Sequence, residues 1–338
     1  MAITQRYADI TAEQVDAYYD MRLLTVAAPN LVYAMVAQDS NQNNTIPEHN
    51  GDVINMRRYT ALAAATTPLV EGVTPPSTDV SVTSITATVS EYGAWISFTG
   101  KLDRLAIDPN LQQYAYLLGM QAGLTIDTLS RDVAVATDTI VYPGSHDERT
   151  DITANLEDRF SATLLMKALR TLHDNNALPF ANGNFIAIIS PSTEFDIMQD
   201  STLVNIMKDA QNRGPENPLV KGYIGSALGV DFYRTSNAKY YTSGGASSND
   251  IHATMIFGQN AIGAGGLAGY IPAKISGTQT GNDTGKKINP VKLIVTPVET
   301  PSKEDPLHQR GTVGWLTTYV AKLLNEDFLV KCEHGVSA

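Results

Sequence analysis

Apolar and polar positions alternate over residues 85–90. Ile85, Ala87 and Val89 are separated by Thr86 and Thr88, which gives an extended segment one apolar and one hydroxyl-rich face. The wider stretch 80–99 is among the most β-prone in the chain. Residues 52–59 also read as extended, with Val53, Ile54 and Met56 leading into the basic pair Arg57-Arg58. Between the two lies Thr67-Pro68-Leu69-Val70-Glu71-Gly72-Val73-Thr74-Pro75-Pro76, the tip of a long hairpin. Val80 and Val82 are out of phase with Ile85, which predicts a bulge or register change near Ser84. At roughly 3.3 Å per residue, ten residues of such a ribbon extend on the order of 33 Å. A two-stranded ribbon is marginal alone in water, so an exposed one needs support from outside its own fold. The competing arrangement is an edge hairpin folded back on its own core.

The period then changes. Tyr114, Leu118, Ala122, Ile126, Leu129 and Val133 recur every three or four residues, predicting one long amphipathic helix over 111–136. At 1.5 Å per residue it spans roughly 39 Å, enough for a spine that ties two regions together; the alternative is a core helix interrupted near Gly123. Phe160, Leu164, Leu165, Ala168, Leu169 and Leu172 mark a second helix ending near Asn175-Asn176. Phe185–Ile189 suits a central strand, and Ser190-Pro191 opens the next helix with an N-cap serine and a first-turn proline. Further strands are expected at residues 230–234, 254–257 and 291–298, with mobile loops rich in Gly, Ser, Thr and Asn at 243–249 and 277–285. At the start, Thr11-Ala12-Glu13-Gln14 is a capping box before Val15, Tyr18, Tyr19, Leu23 and Leu24, predicting a short helix, and the asparagines at 41–44 mark a loop. Pro143 and Gly144 within 142–150 mark a junction. The whole is mixed α+β without a visible internal repeat.

Composition narrows the function classes. The 338 residues are 43% hydrophobic and 17% charged, a globular chain that needs no disulfide, and it holds a single cysteine, Cys332. Neither a secretory signal nor a membrane span is expected. A net charge of -11 argues against a protein whose main task is gripping phosphates, and the Arg57-Arg58 pair does not reverse this.

Candidate chemistry is sparse. The six histidines, His49, His146, His173, His252, His308 and His334, show no metal-ligand spacing and read as surface residues. Ser145-His146-Asp147-Glu148 places triad residue types side by side, whereas triad members converge from separate segments. Gly263-Ala264-Gly265-Gly266-Leu267-Ala268 fits the dinucleotide pattern, but Gly269-Tyr270-Ile271-Pro272 breaks the helix that would present its N-terminus to a pyrophosphate. No catalytic residue, cofactor or metal is expected, and the chain is not expected to be an enzyme.

Several stretches carry a resemblance to a known family. They are 67–75, Glu91-Tyr92-Gly93-Ala94-Trp95, Leu118-Gly119-Met120-Gln121-Ala122, Ile224-Gly225-Ser226-Ala227-Leu228-Gly229-Val230, Phe257-Gly258-Gln259-Asn260-Ala261, and Asp305-Pro306-Leu307-His308-Gln309-Arg310-Gly311-Thr312-Val313-Gly314-Trp315 continuing to Leu323-Leu324-Asn325-Glu326. In this order they resemble the major capsid proteins of tailed phages, the N-four-type group with the Hong Kong 97 coat fold. One departure is Leu316, where the family often has lysine after Gly-Trp.

The resemblance implies an α+β coat subunit with an N-terminal arm and short helix (1–50), an extended β-hairpin loop (51–100), a peripheral domain with the spine helix (101–181 and 277–338) and an axial domain (182–276). It implies self-assembly into hexamers and pentamers that form an icosahedral shell enclosing double-stranded DNA without sequence-specific binding. Portal, scaffolding and decoration proteins are implied as partners. The place is the virion, assembled in the host bacterial cytoplasm, with no membrane. Arg57, Arg58, Pro68, Glu71, Gly72 and Pro75 are the expected intersubunit contacts. Trp95, Gly225, Gly229, Gly258, Asp305, Pro306, Gly314 and Trp315 are the expected structural motif residues. The rival readings are a cytoplasmic nucleotide-binding enzyme built on the Gly263 region and another shell or tube protein, encapsulin-like or of the tail.

Overall fold

The computed structural model of the chain describes residues 31–38, 45–46, 51–60, 62–69, 71–74, 76–105, 110–205, 223–267, 291–296, 298, 307 and 309–337. The expected helix at 11–24, the loops at 41–44 and 277–285, and Pro75, Asp305 and Pro306 lie outside the described residues. In chain order, helix α1 (Tyr33–Gln38) and strand β1 (Thr45–Ile46) precede β2 (Val53–Tyr59), β3 (Val82–Thr88) and β4 (Ser90–Thr99). Helices α2 (Gly100–Leu105) and α3 (Asn110–Val135) follow, then β5 (Ile140–Val141), α4 (Ala162–Asp174), β6 (Phe185–Ile189) and α5 (Pro191–Gln199). The chain continues through β7 (Tyr223–Ala227), β8 (Val230–Arg234), β9 (Tyr240–Tyr241), β10 (Ile251–Phe257) and β11 (Ile262–Leu267). It closes with β12 (Lys292–Thr296), β13 (Arg310–Leu323) and β14 (Leu329–Gly335).

Helix α3 is the predicted spine, 26 residues without interruption at Gly123. Leu118, Ala122, Ile126 and Ala134 line its buried face and pack on Val313, Trp315 and Tyr319 of β13 in the first core. Two polar residues share that face and are satisfied there. Ser130 Oγ lies 2.6 Å from the Tyr319 hydroxyl, and Asp127 accepts from the Tyr33 backbone N–H at 2.6 Å and from Asn237 Nδ2 at 2.9 Å. Burial holds the Asp127 carboxyl above the usual carboxylate range.

Strand β13 is the hub of a five-stranded sheet. It pairs antiparallel with β4 along Arg310–Tyr319, with β12 along Thr312–Leu316 and with β11 along Val320–Leu323, while β1 adds to β11 in parallel. A second sheet has the order β5-β14-β10-β6-β8-β7, with β9 also on β10. Its core packs Leu164, Leu165, Ala168 and Leu172 of α4 against Ala187, Phe232, Ile256 and Val330. Both helices on this sheet begin as their caps require, the Ser161 and Ser190 side chains accepting from the Leu164 and Thr193 backbone N–H groups. Among the described residues, no helix is long and apolar enough to cross a membrane.

Three expectations need correction. The β2–β3 ribbon runs in unbroken register from Val53↔Thr88 to Tyr59↔Val82, with no bulge at Ser84. Val80 and Val82 are exposed, so their phase carried no information about a buried face; the break falls at Val89, whose N–H donates to Asp52 O at 2.8 Å as β3 gives way to β4. The last strand, β14, lies in the second sheet between β5 and β10. His334 is wholly buried there, its Nε2 2.9 Å from Thr254 Oγ1, so it is no surface histidine. Finally, the 243–249 loop is pinned by Ala246 N–H to Ile152 O at 2.8 Å and Gly245 N–H to Asn249 O at 3.0 Å.

Candidate intersubunit contact surfaces

The ribbon has a fixed root and a bare end. At the root, Ile54, Met56 and Ala87 form a small third core with Ile46 and Leu324, which ties the ribbon to the end of β13. Gly263 of β11 belongs to this junction: a Cβ there would lie 2.8 Å from Met56 Sδ and 2.9 Å from Leu324 Cδ1. Residues 263–267 of the dinucleotide-like run are therefore strand, paired Gly263↔Lys322, and Gly263 admits Met56 of the ribbon. Arg58 is drawn to the same place, its guanidinium donating to Asn325 Oδ1 at 2.8 Å and Leu324 O at 3.4 Å. Arg57, beside it, is exposed.

Beyond Thr60, whose N–H donates to Ser81 O at 3.1 Å, the chain leaves the body. Leu62 and Val80 are exposed, as are Leu69 at 77% and Val73 at 62%. Pro68 and Glu71 are exposed too. Gly72 has φ +78 with nothing within 4 Å of a Cβ built on it, so glycine serves the turn's backbone and not a close contact. Sequence reasoning named the polar and turn residues of this tip but not Leu62, Leu69 and Val73; the signal was apolar residues in a segment without period.

The family-like stretches meet one another in space. Gly314↔Trp95 and Trp315↔Ala94 are register partners, so the Glu91–Trp95 and Gly311–Trp315 runs lie side by side although some 220 residues separate them. Trp315 points into the first core, where its Nε1 donates to Gln121 Oε1 of α3 at 3.2 Å, bringing in the third stretch. Glycine is required where these strands cross. A Cβ on Gly93 would lie 2.6 Å from Trp315 O, and one on Gly314 2.9 Å from Trp95 Cβ. Further along, Gly258 N–H donates to Phe328 O at 2.7 Å, and the Leu324 and Asn325 N–H groups donate to Ala261 O at 2.9 and 3.2 Å, joining the Phe257–Ala261 run to the Leu323–Glu326 run that holds Arg58. Leu228 at φ +54 and Gly229 at φ +79 make the two-residue turn between β7 and β8, and Gly225 sits at the register shift in β7.

Two further apolar surfaces lie on the body. Directly paired residues of antiparallel strands share a face, so Trp95, Gly314 and Ile294 form one outward row across β4, β13 and β12, with Trp95 69% exposed. Helix α3 turns Leu117, Met120 and Leu124 away from the core, a second stripe at the three-to-four spacing that the sequence reading passed over. Candidate chemistry does not converge: His146 pairs with Asp158 at 2.9 Å, Cys332 is buried in β14, and no group of three or more His, Cys, Asp or Glu could hold a metal ion among the described residues.

No protein-family model matches the chain, and no curated protein matches it. Among solved structures it is similar to the capsid of Ralstonia phage GP4, with TM-score 0.65 at 12% identity and 91% of each chain covered. The fold is the phage coat fold. The cyanophage Pam1 capsid shares it with TM-score 0.59 at 16% identity, covering 90% of this chain and 92% of that one. So does a virus-like particle from Pyrococcus furiosus, with TM-score 0.50 at 11% identity and 94% and 99% coverage. Each of these matches covers at least 90% of both chains.

Proposed function

We propose that the chain is the major capsid protein of a tailed phage, of the N-four-type group, which self-assembles into the hexamers and pentamers of an icosahedral head shell around double-stranded DNA. The carrying observation is the ribbon of a phage coat fold whose root is built into its own body while the apolar residues described at its tip are exposed. Such a tip is stable when adjacent copies cover it. Contacts that are weak singly become cooperative when each subunit meets several neighbours at once. Arg57, Pro68, Glu71, Gly72 and Pro75 are the proposed contacts beyond the root, and Arg58 sets the angle at which they are offered. The outward row at Trp95 gives a neighbour an apolar landing place.

In this reading residues 1–50 form the arm, 51–100 the extended loop, the spine helix and the β13 sheet the peripheral domain, and the second sheet with α4 and α5 the axial domain, β14 included. Portal, scaffolding and decoration proteins are the further partners, with assembly in the host cytoplasm and the virion as destination. A net charge of -11 suits a container that surrounds DNA without trapping it. Deleting residues 67–76 tests the proposal. The deleted chain should keep the circular dichroism and melting profile of the full chain yet yield no closed particles in negative-stain images; particles like those of the full chain would overturn it.

A further inference from the structure

The connection from β8 to β9 crosses α3 and borders a cavity of about 270 Å³ lined by Arg131, Ala238, Lys239, Tyr240 and Thr242. Its walls are fixed. Asn237 Nδ2 donates to Asp127 Oδ2 at 2.9 Å and to Thr128 Oγ1 at 3.2 Å, which pins the connection to the helix, and Ala253 N–H donates to Lys239 O at 3.0 Å. The Arg131 guanidinium is held in one orientation. Its Nη1 donates to Asn237 O at 3.1 Å and Oδ1 at 2.7 Å, and its Nε and Nη2 donate to Asp132 Oδ1 at 3.0 and 2.7 Å. One Nη2 N–H is left open. Lys239 brings a second cation, its Nζ 5.5 Å from the Tyr241 ring centroid and without an ion pair among the described residues. Tyr240 is 55% exposed, one face of its ring stacked on His252 at 5.8 Å. The acids of these elements are committed: Asp127 to Asn237 and the Tyr33 N–H, Asp132 to Arg131, and Asp250 to the Ser243 N–H at 2.9 Å. With Asp132 offsetting Arg131, the cavity keeps the Lys239 charge in excess on a chain whose net charge is -11.

We propose that this cavity holds a phosphate group of a DNA backbone. Arg, Lys, Thr and Tyr are side chains that contact phosphates without reading bases, and all four types line it. A fixed guanidinium beside an ammonium with three donors suits a tetrahedral anion, the first orienting it and the second neutralising it. A carboxylate from a second copy, with two oxygens in a plane, would engage fewer of these groups. One such contact per subunit is weak and screened by salt, so it aligns DNA without trapping it. The choice of DNA as the source of the phosphate rests on the shell reading above; the preference for phosphate does not.

Fluorescence anisotropy of a labelled duplex of about 20 base pairs with the full chain, at about 50 and about 200 mM salt, tests it. Lys239→Ala should weaken binding about tenfold at the lower salt and flatten the slope of log affinity against log salt by about one. Lys101→Ala, which removes the same charge from an exposed site on α2, should change neither. At matched ionic strength inorganic phosphate should displace the duplex and glutamate should not. Equal losses from the two lysine variants, or no duplex binding at the lower salt, would overturn the proposal. Displacement by glutamate as strong as by phosphate would overturn it too, and would give the cavity to a carboxylate of a neighbouring copy. Lys239→Ala should still yield closed particles in negative stain, so the loss of DNA affinity is read apart from any failure of the shell.

Discussion

The loop at residues 62–80 and strand β14 invert what hydropathy suggests. The loop carries Leu62, Leu69, Val73 and Val80 with only Glu71 and Asp79 as charged residues, yet those four apolar side chains are exposed. Strand β14 is Leu-Val-Lys-Cys-Glu-His-Gly, and all seven residues are buried. The difference lies in partners. Both edges of β14 are paired, Glu333 meets Arg149 Nε and Nη2 at 2.7 and 2.6 Å with Lys331 Nζ at 3.5 Å, and Lys331 also donates to Val135 O at 3.0 Å. A buried charge is tolerated when it is paired and hydrogen-bonded, whereas an apolar tip without neighbours marks a surface left for another molecule. Single-chain burial thus separates what the chain completes alone from what it leaves to another molecule.

The largest effect on that contrast is expected at Glu333. Glu333→Ala leaves Lys331 buried without its carboxylate and should lower unfolding stability by about 3–5 kcal/mol in urea titration. Leu69→Ser in the loop should stay within about 0.5 kcal/mol by the same measurement while lowering particle yield. A comparable loss from both would break the distinction between self-completed and partner-completed segments.

Acid should act on β14 before it acts on the loop. Burial first of all, in a pocket shared with Thr254 and Phe160, holds the His334 imidazole down to about 4. Its folded value lies below the ordinary unfolded value of about 6.5, so the unfolded chain binds the proton first. Stability is fully present above about pH 6.5 and falls as pH drops towards 4, by on the order of 3 kcal/mol in total. His252, whose Nδ1 lies 2.7 Å from Ser190 Oγ, is lowered by burial as well and adds in the same direction. His334→Gln should flatten the urea midpoint between pH 7 and 4; an unchanged slope would remove the histidine from the account.

Strong periodicity and clear caps were what the sequence made legible. The spine was expected at 111–136 and spans Asn110–Val135, and Ser190-Pro191 caps α5 as read. Strands β13 and β14 were missed as strands for the reason the opening contrast gives. β14 is buried on both faces, so it lacks alternation, and its Lys, Glu and His each draw on residues distant in sequence, Val135, Arg149 and Thr254. In β13, Gly311 and Gly314 argue against a strand until Phe98 and Trp95 are seen crossing those glycines. The exposed surfaces were half legible: turn chemistry marked Gly72 and Pro68, but exposure of Leu69 or of the Leu117 stripe is a property of the fold.

Strand β4 carries the contrast within ten residues. Gly93→Ala would press a Cβ to 2.6 Å from the backbone oxygen of Trp315, which cannot give way without moving β13, and should cost about 1–3 kcal/mol in urea titration. Trp95→Ser, two positions on along the exposed face, should leave that midpoint nearly unchanged and reduce closed particles in negative stain. If Trp95→Ser destabilised the subunit as much as Gly93→Ala, the outward row would belong to the subunit's own packing.

The smallest expected effect concerns the joint between the two kinds of surface. Arg58 reaches from the ribbon to Asn325 at an exposed site, where screening by solvent limits such a contact to about 0.2–1 kcal/mol. Arg58→Ala should therefore scarcely move the unfolding midpoint, because Met56 and Leu324 still hold the root through apolar contact. The geometry is more exposed to the change than the stability. The bond to Asn325 ties the ribbon to the end of β13, and the exposed residues 62–80 begin soon after the last ribbon pair at Tyr59, so a rotation at this joint is passed on to them. Irregular or open particles from an otherwise stable Arg58→Ala subunit are the expected outcome. Lys at this position, able to reach the same carbonyls without the forked geometry, should restore part of the regularity. Regular particles from the alanine variant would mean that the apolar root alone sets the angle.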